Sequence, residues 1–211
     1  MQKKLALSIL SLDPQNYQSE LDRLGHNIDI VHFDIMDGKF VPNVAMGVET
    51  VRSIKTDLPK WTHLMVQNPE REIPKYIEAG SNWITFHIEA VENPTQLIQD
   101  LKLKGIKAGI ALNPHTSVEK IAKYLTNLDH VLVMTVEPGQ GGQKFQANNL
   151  EKIRQIRKLN PKIEIAVDGG IGETTLPKVI SAGANIFVVG SAIVRSEDPL
   201  KVCRELRAQM R

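Results

Sequence analysis

The 211-residue sequence has one cysteine, Cys203. A lone cysteine excludes an internal disulfide framework and fits a reducing compartment. Blocks of one charge sign are missing as well. The 26 basic and 24 acidic side chains leave a formal charge of +2, spread without a Lys/Arg stripe, which argues against a nucleic-acid or membrane-surface partner. No apolar run approaches bilayer-spanning length. Leu5 to Leu10, behind the polar, basic Met1 to Lys4, is too short for a secretory leader, and Ser8 makes it too polar. Linker-like, low-complexity and clearly repeated stretches are also lacking. The expectation is a soluble, cytoplasmic protein with one domain over residues 1–211, 42% hydrophobic and able to bury a large core.

What the chain does have is a strand–helix alternation from end to end. The apolar runs Leu5–Leu10, Ile30–Phe33, Trp61–Met65 and Trp83–His87 read as strands, followed by Lys107–Leu112, Val131–Met134, Ile163–Val167 and Ile186–Val189. Between them lie helical stripes such as Tyr17, Leu21 and Leu24, with Asp13-Pro14 as a start signal. Val118, Ile121, Ala122 and Leu125 mark the helix expected after the fifth strand. Cys203 falls on the apolar stripe of the last helix and reads as a core thiol. Eight such units in this length predict an α/β fold, a closed (β/α)8 TIM barrel rather than an open doubly wound sheet.

In such barrels the site lies at the C-terminal ends of the strands. The polar residues there are Ser8, His32 and Asp34, His63, His87 and Asp168. His32, Asp34 and Met36 alternate along one strand and therefore share a face. His32, Asp34, His63 and Asp168 converge on one mouth, a donor set suited to one divalent metal ion: Zn, Fe(II), Mn or Co. The bland alternative is four separately hydrogen-bonded groups on a wet rim. Met36, Met65 and Met134 face the same mouth, either as core or as a wall that excludes water without hydrogen bonding. Gly139-Gln140-Gly141-Gly142, Gly169-Gly170 and Gly190-Ser191 follow three consecutive strands, where glycine lets backbone N–H groups approach an anion. Barrel phosphate sites commonly form after the last two strands.

Several of these stretches are similar to one known family over nearly the whole chain. They are Ser8-Ile9-Leu10-Ser11, His32-Phe33-Asp34-Ile35-Met36-Asp37-Gly38-Lys39-Phe40-Val41-Pro42-Asn43 and His63-Leu64-Met65-Val66. Further on come Met134-Thr135-Val136-Glu137-Pro138-Gly139, Gly141-Gly142-Gln143-Lys144-Phe145, Val167-Asp168-Gly169-Gly170 and Gly190-Ser191-Ala192-Ile193. The chain resembles the ribulose-phosphate 3-epimerases. Phe86-His87-Ile88-Glu89-Ala90 and Arg195-Ser196-Glu197-Asp198-Pro199 look most like the eukaryotic-type branch.

The resemblance implies a metal-dependent epimerase that interconverts D-ribulose 5-phosphate and D-xylulose 5-phosphate in pentose-phosphate metabolism. It implies Asp34 as proton acceptor and Asp168 as proton donor, with His32, Asp34, His63 and Asp168 around one metal. Ser8 and His63 would contact the sugar, and the glycine loops the phosphate. The expected partners are a small sugar phosphate and further copies of the chain. Leu7 stands where the family usually has proline, Gln140 where it has an aromatic, and Ala166 where it has Glu or Gln. These bear on how Ser8 is held, how the Gly139–Gly142 loop closes and how Asp168 is tuned. Rival readings are an epimerase of another ketose phosphate such as allulose 6-phosphate, and a barrel that only binds sugar phosphates. Hexulose-phosphate synthases and related decarboxylases would show Asp-x-Lys-x-x-Asp on the third strand. Thr62-His63-Leu64-Met65-Val66-Gln67 has no such lysine.

Overall fold

A computed structural model describes all 211 residues. Its nine strands are β1 (Lys4–Ser8), β2 (Ile30–Asp37), β3 (Val44–Ala45), β4 (Lys60–Met65) and β5 (Trp83–His87), then β6 (Lys107–Leu112), β7 (His130–Met134), β8 (Glu164–Asp168) and β9 (Ile186–Val189). The helices are α1 (Tyr17–Leu24), α2 (Val48–Ser53), α3 (Pro69–Glu78), α4 (Pro94–Leu103), α5 (Leu150–Leu159), α6 (Leu176–Ala182), α7 (Ser191–Val194) and α8 (Pro199–Gln209). Proline in the first turn of α3, α4, α6 and α8 presets the backbone where no intrahelical donor is needed.

Eight strands pair in parallel in the order β1-β9-β8-β7-β6-β5-β4-β2, and β1 pairs with β2 to close a TIM barrel. Alternation along each strand divides the core in two. Outward residues such as Val31, Phe33, Ile35, Leu64 and Val167 pack with the helices in a cluster of 47 buried side chains. A smaller inner cluster includes Ala6, Ile30, Trp61, Trp83, Ala111, Leu132 and Ala166.

The elements depart from the sequence reading in three places. β1 stops at Ser8, because the Ser8 hydroxyl accepts the Leu10 N–H and turns Ile9–Ser11 into a 3₁₀ turn. β2 runs on through Asp37, held by six pairs to β4 and by antiparallel β3, which pairs Met36 with Ala45. No α-helix forms at Val118–Leu125. Two 3₁₀ turns, Val118–Lys120 and Ala122–Tyr124, bury Val118, Ile121 and Leu125 instead. Apolar residues three and four apart serve a three-residue turn as well as a helix.

Candidate active site

The barrel register assembles the site. Asp34 pairs with His63, Met36 with Met65, Ser8 with His32, and Met134 with Asp168. All eight point inward by strand alternation. His32, Asp34, His63 and Asp168 each offer one nitrogen or oxygen, and these atoms lie within 4.8 Å of one another. The Ser8 hydroxyl donates to Asp34 Oδ2 at 2.6 Å. His63 Nδ1 lies 3.2 Å from Asp34 Oδ1 and 3.9 Å from Asp168 Oδ2. His32 Nδ1 is 3.5 Å from Asp34 Oδ2, and neither of its buried ring nitrogens has a hydrogen-bond partner. Burying an imidazole with no partner is costly. Two imidazoles and two carboxylates converging around such an orphaned ring match the donor chemistry of a divalent transition-metal site.

The two acids are pushed in opposite directions. Burial raises the Asp34 carboxyl, but the facing His32 and His63 rings outweigh it and hold Asp34 far below the usual range. Burial, reinforced by the Asp34 charge, pushes Asp168 up to about 7. Burial lowers His63 to about 4 despite Asp34 beside it. Burial lowers His32, but the Asp34 charge outweighs it and holds that ring above its usual value. Near neutrality the site thus holds an ionised Asp34 facing His32, an Asp168 close to half protonation and a neutral His63. Such a split between neighbouring carboxyls is how one site supplies both a base and an acid.

Above this cluster opens a cavity of about 560 Å³. Its lining includes Ser8, Asp34, Met36, Met65, Met134 and Asp168, together with Gly139, Gln140, Gly141, Gly142, Gly169, Gly170, Gly190 and Ser191. His32 and His63 lie beneath, fully buried. The loop after β7 is pinned by Gln143, whose amide donates to the Glu137 and Gln140 carbonyls. Asn43 reaches across to donate to the Gly139 carbonyl at 2.7 Å. Gly169 has φ +114°, and a Cβ there would sit 2.4 Å from Val136 Cγ2, so this glycine lets two loops pack as well as baring an amide.

Sequence reasoning gave no site role to Leu10, Ser11, Val136, Glu137, Pro138, Gln143, Ile171 and Val188, which complete the wall. It also left His87 unassigned. His87 Nε2 lies 2.8 Å from His63 Nε2, and His87 Nδ1 lies 3.3 Å from Glu89 Oε2. The available signal was the inward alternation of Trp83, Thr85 and His87 along β5.

A family model described as the ribulose-phosphate 3 epimerase family matches residues 4–194. The chain belongs to that family. A Bacillus subtilis relative, "Ribulose-phosphate 3-epimerase", is 43% identical, covering 97% of this chain and 98% of its own length. The "Ribulose-phosphate 3-epimerase, cytoplasmic isoform" of Oryza sativa subsp. japonica is 42% identical, covering 97% and 92%. As a member of this family the chain is an isomerase of the epimerase type. Among solved structures, a 3-hexulose-6-phosphate synthase from Salmonella typhimurium superposes with a TM-score of 0.78 at 21% identity, covering 98% of both chains. The 3-keto-L-gulonate-6-phosphate decarboxylase from Vibrio cholerae gives 0.78 at 14% identity, covering 100% of this chain and 98% of its own. These remote barrels share the epimerase family's fold alone. No helix of the chain is long and apolar enough to cross a membrane.

Proposed function

We propose that this chain interconverts D-ribulose 5-phosphate and D-xylulose 5-phosphate by moving the C3 proton through an enediolate, with Asp34 and Asp168 as its two carriers. The observation that supports this most is the placement of two carboxyls, Asp34 and Asp168, on one cavity from non-neighbouring strands; their opposite shifts accord with it. Epimerisation removes a proton from one face of a carbon beside a carbonyl and returns one to the other face, so one base cannot easily do both. Asp34 and Asp168 enter from strands separated by β1 and β9, which lets them flank a sugar between them. Asp34, ionised, takes the proton; Asp168, protonated, gives one back. The roles exchange in the reverse direction. Ser8, donating to Asp34, orients the base toward the sugar.

His32, Asp34, His63 and Asp168 would hold one divalent ion, Zn, Fe(II), Mn or Co. When bound, that ion polarises the ketone and offsets the charge that develops on the sugar oxygens. Met36, Met65 and Met134 exclude water from the reacting carbon. Backbone N–H groups at Gly139–Gly142, Gly169–Gly170 and Gly190–Ser191 grip the phosphate, far from the reacting carbon, and thereby orient it. A cytosolic place of action accords with the name of the rice relative and with the single, buried Cys203.

The test is turnover of ribulose 5-phosphate in D₂O, with allulose 6-phosphate assayed alongside. The expected product is xylulose 5-phosphate carrying deuterium at C3, formed faster than any product from allulose 6-phosphate. Unlabelled product would contradict the two-acid route, and a preference for the hexulose phosphate would reassign the substrate.

A further inference from the structure

His63 has two ring nitrogens that face different chemistry. Nδ1 looks toward Asp34 and Asp168, 3.2 and 3.9 Å away. Nε2 points to His87 Nε2, 2.8 Å away. Both rings are completely buried and lie stacked, their centroids 5.0 Å apart, while Phe40 packs 4.8 Å from His87 on another side. Two imidazole nitrogens this close need one proton between them: two would repel, and none would leave facing lone pairs. Which ring owns that proton is decided one step further out. His87 Nδ1 lies 3.3 Å from Glu89 Oε2, an ion-pair distance that falls short of hydrogen-bond geometry, and has no hydrogen-bond partner. Glu89 Oε1 in turn accepts the Asn113 backbone N–H at 3.0 Å.

An ionised carboxylate only accepts, so it draws the His87 proton to Nδ1. Burial opposes the Glu89 charge, but His87, Thr116 and the Asn113 amide outweigh it and hold the carboxyl at about 2. His87 Nε2 is then a bare acceptor, and the shared proton belongs to His63 Nε2. His63 Nδ1 is left as a lone pair aimed at the carboxylate pair. Asp34 Oδ1, within hydrogen-bond reach of Nδ1 at 3.2 Å, pulls the other way, toward a proton on Nδ1, and that form cannot bind a cation through Nδ1; His87 and Glu89 oppose it.

We propose that His87 and Glu89 are positioning residues that lock His63 into the Nε2–H tautomer and so strengthen the site's hold on a divalent cation, a proposal resting on the metal reading above. Neither residue lines the cavity. Their effect passes through His63 alone, as hydrogen-bonded partners of ligating histidines commonly act.

The experiment uses the full chain labelled with ¹⁵N and stripped of metal, with two-bond ¹H–¹⁵N spectra reporting the His63 tautomer, followed by titration with Co²⁺. Wild type should show His63 as Nε2–H. His87→Phe keeps a stacked ring but offers no acceptor. It should convert His63 to Nδ1–H and weaken Co²⁺ binding about 10- to 100-fold. His87→Gln, whose amide oxygen accepts the same proton, should restore most of the affinity. If His87→Phe does not fold, Glu89→Gln at the more exposed end of the chain should still weaken Co²⁺ binding and shift the tautomer balance. An Nδ1–H tautomer in wild type, or Co²⁺ affinity unchanged in the variants, would overturn the proposal. A wild type with the expected tautomer that binds no Co²⁺ would instead sink the underlying metal reading, and this proposal with it.

Discussion

Asp168 is an acid set where its own charge is unwelcome: burial and the neighbouring Asp34 charge lift it from 3.8 to about 7. That placement suits a proton carrier and costs stability. Between those two pH values the native state keeps a proton that the unfolded chain has released, so raising the pH through this window destabilises the fold. His63 and His130, lowered to about 4 and about 3 by burial, work in the opposite sense below their unfolded value of 6.5. Their contribution is common to wild type and an Asp168→Asn variant and cancels to first order in the difference. In metal-free protein, Asp168→Asn should therefore gain on wild type as pH rises from 4 to 7.5. Chemical denaturation at several pH values reads that gap, and a gap that does not open would contradict the raised carboxyl. The same variant should lose about 10²- to 10⁴-fold in epimerase turnover, because the second face of the sugar has lost its proton carrier. Near-normal turnover would refute the two-acid assignment.

Strand neighbours impose constraints that no single strand displays. Gly109 on β6 pairs directly with His130 on β7, and both point inward. A Cβ on Gly109 would sit 2.0 Å from His130 Nε2. That ring cannot easily move, since Thr85 Oγ1 holds it at 2.6 Å and Trp61 and Trp83 pack around it. Gly109→Ala should cost about 1–3 kcal/mol or more by overpacking. In a His130→Ala background the cost should shrink, a coupling that urea midpoints can measure; equal costs in both backgrounds would remove the steric explanation. This pairing shows where the sequence falls silent. Alternation along one strand is local, so His32, Asp34 and Met36 were legible as one face, and the apolar runs gave the barrel's eight strands. Partnership across strands depends on register, which is why the facing of His63 by His87, and of His130 by Gly109, appears only in three dimensions. The ends of elements were hidden for a related reason. Ser8 ends β1 with a local hydrogen bond inside an apolar run, and β2 outlasts its apolar run because β3 and β4 pair with its polar end.

Across the whole barrel the four clustered side chains do what the hydrogen-bonded sheet does not. Asp168 lies on β8, which is bonded to β7 and β9 but to neither β2 nor β4. The seam that closes the barrel, β1 to β2, rests on three paired residues against six between β2 and β4. An ion held by His32, Asp34, His63 and Asp168 would tie non-neighbouring strands across the mouth, close to that seam. It would also relieve the repulsion between two carboxylates and give the orphaned His32 ring a partner. Metal loading should therefore stabilise the protein as well as activate it. With free ion at 100 times its dissociation constant the gain is about 2.7 kcal/mol. At about 2–4 °C per kcal/mol for a chain of this size, that is roughly 5–10 °C in Tm. Exhaustive chelation should lower Tm and epimerase turnover together, and Mn²⁺, Co²⁺ or Zn²⁺ should restore both. Asp34→Asn, lacking one anionic ligand, should show a much smaller ion-dependent shift. Full turnover in rigorously metal-free protein, or an equal shift in Asp34→Asn, would mean that these four side chains meet for some purpose other than holding a cation.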